Sequence, residues 1–175
     1  MRRKAILGFL EVDVYLTGFS LSTSALQRAR IWQQVERESG SVTLADAING
    51  FNDAKSNGSS KSSISLKFVR NVTTAQIVEA FNDSFKDLDP VEVSKFKEAL
   101  QKSVGENGMK NGEIVAFFWL NGGGLCISIN DSIREMIVSP TLEKRLLEVY
   151  VDPTRRVSPL LLQSILDNLA ASVAN

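Results

Sequence analysis

The segment Ile114 to Leu120 is an unbroken apolar run, and apolar side chains resume at Leu125, Ile127 and Ile129 after Asn121-Gly122-Gly123-Gly124. A short continuous apolar run bounded by a turn signal reads as a central strand. A glycine-rich connection this short returns the chain as a hairpin, which commits at least part of the fold to an antiparallel sheet. The triple glycine follows a strand but leads into another strand, and it lacks nucleotide-binding spacing. It is therefore read as a turn and not as a phosphate loop.

The rest of the chain supplies further strands and the helices to cover them. Leu10, Val12 and Val14 alternate with Glu11, Asp13 and Tyr15, the period of a half-buried strand. With Gly8 as a turn, Arg2 to Leu7 forms the first arm of a hairpin. Ser24 to Glu38 reads as a helix with Ser24 as its N-cap, and Leu44 to Phe51 as a second, shorter one. Asn52 to Lys61 is a polar loop rich in serine and glycine. Ile64, Leu66 and Phe68 alternate with Ser65 and Lys67 and predict another strand.

Four helix starts are then signalled locally. Thr73 with Gln76 forms a capping box ahead of Ile77, Val78, Phe81 and Phe85. Asp89-Pro90 opens a helix carrying Val93, Phe96, Leu100 and Val104. Ser139-Pro140 opens one carrying Leu142, Leu146, Leu147 and Tyr150. Ser158-Pro159 opens the last, with Leu161, Leu162, Ile165, Leu166 and Leu169 on one face. This order predicts an α+β fold, an antiparallel sheet with helices packed on one face, as a single domain over residues 1–175.

Composition narrows the chemistry more than the fold. The chain has no histidine, which excludes Ser-His-Asp and Cys-His catalysis and histidine metal sites. The one cysteine, Cys126, cannot form an intrachain disulfide, and its apolar neighbours make it a buried small hydrophobe. A reducing, intracellular setting is compatible with that count. Lys plus Arg and Asp plus Glu are both 20, and without a basic face nucleic acid is not an expected partner. No apolar stretch is long enough to span a membrane. No signal-peptide core follows Met1-Arg2-Arg3-Lys4. No cofactor is expected, and the chain is expected to be a monomer.

Three motifs resemble one family. They are Glu11-Val12-Asp13-Val14-Tyr15-Leu16-Thr17-Gly18-Phe19, then Leu66-Lys67-Phe68-Val69-Arg70-Asn71-Val72 with Glu79-Ala80-Phe81-Asn82-Asp83-Ser84, and Leu147-Glu148-Val149-Tyr150-Val151-Asp152-Pro153 with Val157-Ser158-Pro159. In this order they are similar to the chalcone isomerase-like domain. That family includes enzymes that cyclise chalcones to flavanones, plastid fatty-acid-binding proteins, and non-catalytic helpers of flavonoid synthesis. The resemblance implies a large antiparallel sheet with helices on one face and a ligand cleft between them. A plastid or other organelle, after removal of a transit peptide, is a compartment it allows.

The isomerase needs a cation for a phenolate and polar groups for the developing enolate. On the resemblance, the family's arginine matches Arg3, and its polar partner on the next strand matches Tyr15, where the enzymes usually carry threonine. The tyrosine, lysine and asparagine of the following helix match Ile77, Ala80 and Ser84, and the threonine of a later helix matches Val149. Three of these four positions are apolar here, which suits an alkyl chain better than a polyhydroxylated ligand. The expected function is therefore non-catalytic binding of a fatty acid or similar amphipathic carboxylate, its head held by Arg3 and Tyr15.

A turn near Gly8 and Phe9 places Arg3 opposite Tyr15, with Arg2 the substitute if the register shifts. Arginine's fork binds two carboxylate oxygens at once. Thr17 is a further candidate along the same strand face. Ile77, Phe81, Phe117, Trp119, Leu146 and Val149 are candidate pocket walls, each also readable as plain core. Chalcone isomerase activity, or a helper that binds a partner protein, is the alternative.

Overall fold

A computed structural model describes residues 2–7, 10–21, 23–31, 44, 62–120, 124–152 and 159–171. Six strands, β1 (Arg2–Leu7), β2 (Leu10–Ser20), β3 (Ser63–Phe68), β4 (Ile114–Trp119), β5 (Leu125–Ile129) and β6 (Ser132–Ile137), form one sheet. Its spatial order is the chain order, and every neighbouring pair is antiparallel. The helices bounded within the described residues are α1 (Thr23–Ile31), α2 (Thr74–Ser84), α3 (Pro90–Val104), α4 (Pro140–Val151) and α5 (Pro159–Ala171).

The strands form where the apolar alternation predicts them. Ile64, Leu66 and Phe68 on β3 and Val115, Phe117 and Trp119 on β4 are all buried, as are Leu125, Ile127 and Ile129 on β5. They share one face because Leu66 pairs with Val115, Ile64 with Phe117, and Phe117 with Ile127. The helices cover this face. Phe81 of α2 and Phe96 of α3 meet Phe117 ring to ring, and the Trp119 indole N–H donates to the Glu143 carbonyl of α4. The chain thus folds as an open-faced sandwich, the predicted architecture.

The local stop and start signals act as expected. Thr73 and Gln76 make both halves of the capping box of α2. The Asp89 carboxylate accepts from Val91 N–H at the start of α3, and the Ser139 hydroxyl accepts from Leu142 N–H at the start of α4. Gly108, at φ +69°, lies where an added Cβ would stand 2.2 Å from the Val72 carbonyl oxygen. Only glycine therefore lets this connection cross the Val72–Met109 bridge.

Two expectations need correction. The first helix begins at Thr23, so Ser24 lies inside its first turn and is not the N-cap. The sheet also has a sixth strand that the apolar pattern did not announce. Asn130 and Asp131, both at positive φ, form the two-residue turn into β6. The ladder slips between Ile127 and Ser128, leaving Arg134 as an extra residue opposite no partner on β5. The bulge spaces the apolar residues of β6 as Ile133, Met136 and Ile137, an interval that mimics a helix.

The predicted continuation of the first helix to Glu38, the helix at Leu44 to Phe51 apart from buried Leu44, the loop Asn52 to Lys61 and the glycines 122 and 123 lie outside the described residues.

Candidate ligand-binding site

The first hairpin decides which residue faces Tyr15. Leu7 pairs with Leu10, and the ladder runs regularly back to Lys4 with Asp13. Continued without interruption, it would set Arg3 opposite Val14. Instead the register shifts between Arg3 and Lys4, Val14 is skipped, and Arg3 pairs with Tyr15. Val14 turns its carbonyl to the other neighbour and accepts from Val69 N–H at 3.0 Å. A one-residue slip exchanges the two faces of a strand, so this bulge selects the partner of Arg3.

Tyr15 is 6% exposed and packs edge-on against Phe68, its cross-strand partner on β3, with ring centroids 5.9 Å apart. Thr17 is 8% exposed and pairs with Leu66. Two hydroxyl-bearing side chains are thus buried on one face of β2, flanked by apolar residues of β3. Burial of hydroxyls among apolar groups is costly unless each has a partner, and Tyr15 takes part in a further interaction besides its contact with Phe68.

Ile77 and Phe81 lie on the buried side of α2, and Val149 and Leu146 on that of α4. At the positions between, Ala80 and Ser84 are half-buried, and the Ser84 hydroxyl donates to the Ala80 carbonyl within its own helix. The stripe Ile77, Ala80 and Ser84 therefore offers no free ammonium or phenol toward the sheet.

Phe81 belongs to a ring cluster. Its centroid lies 5.5 Å from Phe117, 5.2 Å from Phe96 and 6.0 Å from Phe85, and Phe85 lies 4.8 Å from Phe96. Phe96 stacks on Phe117 at 5.9 Å. A cleft between α2 and α3, walled by Phe81, Phe85, Phe96 and Lys97, holds about 10 Å³, room for about one water. The structure therefore brings together Arg3 and Tyr15 in the ladder, Tyr15 and Thr17 on one strand, and Phe81 with Phe117. It does not bring Phe81 to the hairpin end.

Sequence reasoning missed two features. Phe68 was read only as a strand residue, yet it is the ring that seats Tyr15. Glu143, in the first turn of α4, is 2% exposed, and its carboxylate accepts from Gly124 N–H at 2.9 Å, pinning the end of the glycine-rich connection. An acidic residue just inside a proline-started helix was the only signal available for it. Among the described residues, no group of three or more acidic or cysteine side chains is placed to hold a metal ion. None of their helices is long and apolar enough to cross a membrane.

A six-stranded meander covered by helices on one face, with polar groups buried near one edge, is the class of an open-faced β-sandwich with a candidate site between its layers. The chain belongs to the chalcone isomerase-like family, whose model matches residues 46–154, more than half its length. Among solved structures it is similar to an Arabidopsis thaliana fatty-acid binding protein. That likeness has a TM-score of 0.69 and 19% identity, covering 99% of this chain and 87% of that one. No curated protein matches the chain.

Proposed function

We propose that this protein binds a fatty acid or a similar long-chain carboxylate without transforming it. The head would be held by Arg3 and the Tyr15 hydroxyl at the β1–β2 bulge. The tail would lie on the helix-covered face of the sheet, past Thr17 and toward Ile77, Phe81 and Val149. The observation that carries this reading is the register that pairs Arg3 with buried Tyr15. Partners in an antiparallel ladder stand close, about 5 Å apart, so a cation and a phenol in this pairing can converge on one carboxylate.

The fatty-acid binding neighbour of the same fold supports the ligand class. So does the apolar character of Ile77, Ala80 and Val149, where isomerase members would need donors for an oxyanion. The energetics agree. Each buried methylene contributes about 0.8 kcal/mol, whereas a charged hydrogen bond at the head adds about 1.5–3 kcal/mol. The tail supplies most of the affinity, and the clamp fixes the head group and its orientation.

A partner-binding helper is the second reading, favoured by Ile133, Met136 and Val138, which are exposed on and beside the edge strand β6. The bulge at Arg134 and the charges of Arg134 and Glu135 are features that guard an edge against strand pairing, so we rank it second.

The test is a titration of laurate, palmitate and a chalcone into the wild type and Arg3→Ala. Saturable fatty-acid binding that weakens roughly ten- to a hundredfold in the variant, with unfolding unchanged, supports the clamp. Absence of fatty-acid binding in the wild type would sink the reading. Chalcone ring closure faster than in buffer would replace it with the isomerase reading.

A further inference from the structure

The ring cluster lies at the far end of the tail path proposed above, toward Phe81. The row of Tyr15 on β2 continues to Phe68 on β3, and the row of Phe19 continues through Ile64 to Phe117 on β4. Phe117 is therefore two strands over and four residues further along than Tyr15. At about 4.8 Å between strands and 3.4 Å per residue, the two positions are about 17 Å apart.

Phe117 rises from the sheet, while Phe81 descends from α2, Phe85 from the C-cap of α2, and Phe96 from α3. Every one of these rings is at most 7% exposed. Joined ring to ring, they bridge Phe117 on the sheet to α2 and α3, and the cleft between those two helices holds only about 10 Å³. An alkyl chain reaching this point has no gap to enter, and displacing packed rings is costly.

We infer that the Phe81–Phe85–Phe96–Phe117 cluster is the stop that sets the longest tail the site accepts, an inference that rests on the carboxylate-binding reading above. An extended chain advances about 1.2 Å per bond. A span of about 17 Å then corresponds to a carboxylate of about fourteen carbons. Shorter tails fit with apolar surface unfilled, and longer tails must fold back or leave their ends in water.

The experiment is a titration of saturated fatty acids of roughly eight to eighteen carbons against the wild type, Phe81→Ala and Leu161→Ala. In the wild type, affinity rises about fourfold per carbon and stops rising near about fourteen carbons. In Phe81→Ala the rise continues for about two further carbons, because the removed ring opens space at the end of the path. Leu161, buried on α5, is a core truncation away from the cluster. It lowers the unfolding temperature without moving the break.

Phe81→Leu, which keeps most of the volume, gives a smaller shift in the same direction and serves if Phe81→Ala does not fold. A break at the same length in a folded Phe81 variant, or no break in the wild type, overturns the stop and leaves ligand binding intact. Absence of binding at every length overturns the carboxylate-binding reading itself.

Discussion

The two ends of the core bury different things. Where α3 covers β4 and β5, the facing side chains Val115, Phe117, Leu125 and Ile127 are apolar, and four phenylalanine rings interlock there, while the nearby hydroxyls of Ser103 and Ser128 are buried on the elements themselves. Of the described helices, α3 packs most extensively against the sheet, along β5 and β6. Around β2 and β3 the same sheet face buries a phenol and a threonine hydroxyl beside Phe68 and Leu66. The first arrangement maximises dispersion contacts and tolerates no voids. The second places polar atoms where dielectric is low and hydrogen bonds to an ion are strengthened. The contrast teaches that one end is built for packing alone, while the other carries the polar side chains on which the proposed head-group recognition rests.

The sharpest way to break this contrast is Phe117→Ala. The ring is fully buried and central to the cluster, so its loss should destabilise the protein by about 3–5 kcal/mol, read by urea unfolding. A loss under about 1 kcal/mol would mean the cluster is loosely packed. Tyr15→Phe tests the other end. It keeps the ring against Phe68 and removes only the hydroxyl. Fatty-acid affinity should fall roughly tenfold, while stability changes by about 1 kcal/mol or less. Equal loss of stability and affinity would make Tyr15 an ordinary core residue.

Gly108→Ala probes the scaffold that both ends share. It forces a Cβ against the Val72 carbonyl at positive φ, and a loss of about 1–3 kcal/mol is expected by thermal unfolding. The smallest effect concerns Glu92, at the start of α3. Its hydrogen bond with Lys95, and then that with the Ser139 hydroxyl, lower its pKa below the ordinary 4.5. A carboxylate with a lowered folded pKa stabilises above its unfolded pKa. That contribution is lost as pH falls through the folded value. Glu92→Gln should therefore cost up to about 1 kcal/mol at neutral pH and nothing at acid pH well below 4.5. A pH-independent cost would assign the effect to packing between α3 and α4.

Much of the fold was legible because its signals are local. Thr73 with Gln76, Asp89-Pro90 and Ser139-Pro140 each satisfy donors within a few residues, so their effect does not depend on the rest of the chain. The strands β3, β4 and β5 were legible because their apolar periods are intact. The strand β6 was not, because the extra Arg134 breaks the period of two and most of its side chains face solvent. The site was half legible. Arg3 and Tyr15 stand out as residue types on neighbouring strands, and their matches in the family gave them a role to test. The clustering of Phe81, Phe85 and Phe96 on Phe117 joins residues from three elements and has no local signature.

Sequence alone therefore determined the classes of chemistry open to this protein. The lack of histidine and the apolar residues at 77, 80 and 149 follow from side-chain identity, whatever the fold. It also determined where most helices start, through caps that close over a single turn. Only the tertiary structure decided how Arg3 comes to face Tyr15. A two-residue connection between Leu7 and Leu10 would send Arg3 to Val14 in a regular ladder, and the skipped Val14 sends it to Tyr15 instead. A bulge is a property of two strands held in a sheet, since it exists only as a mismatch between their registers.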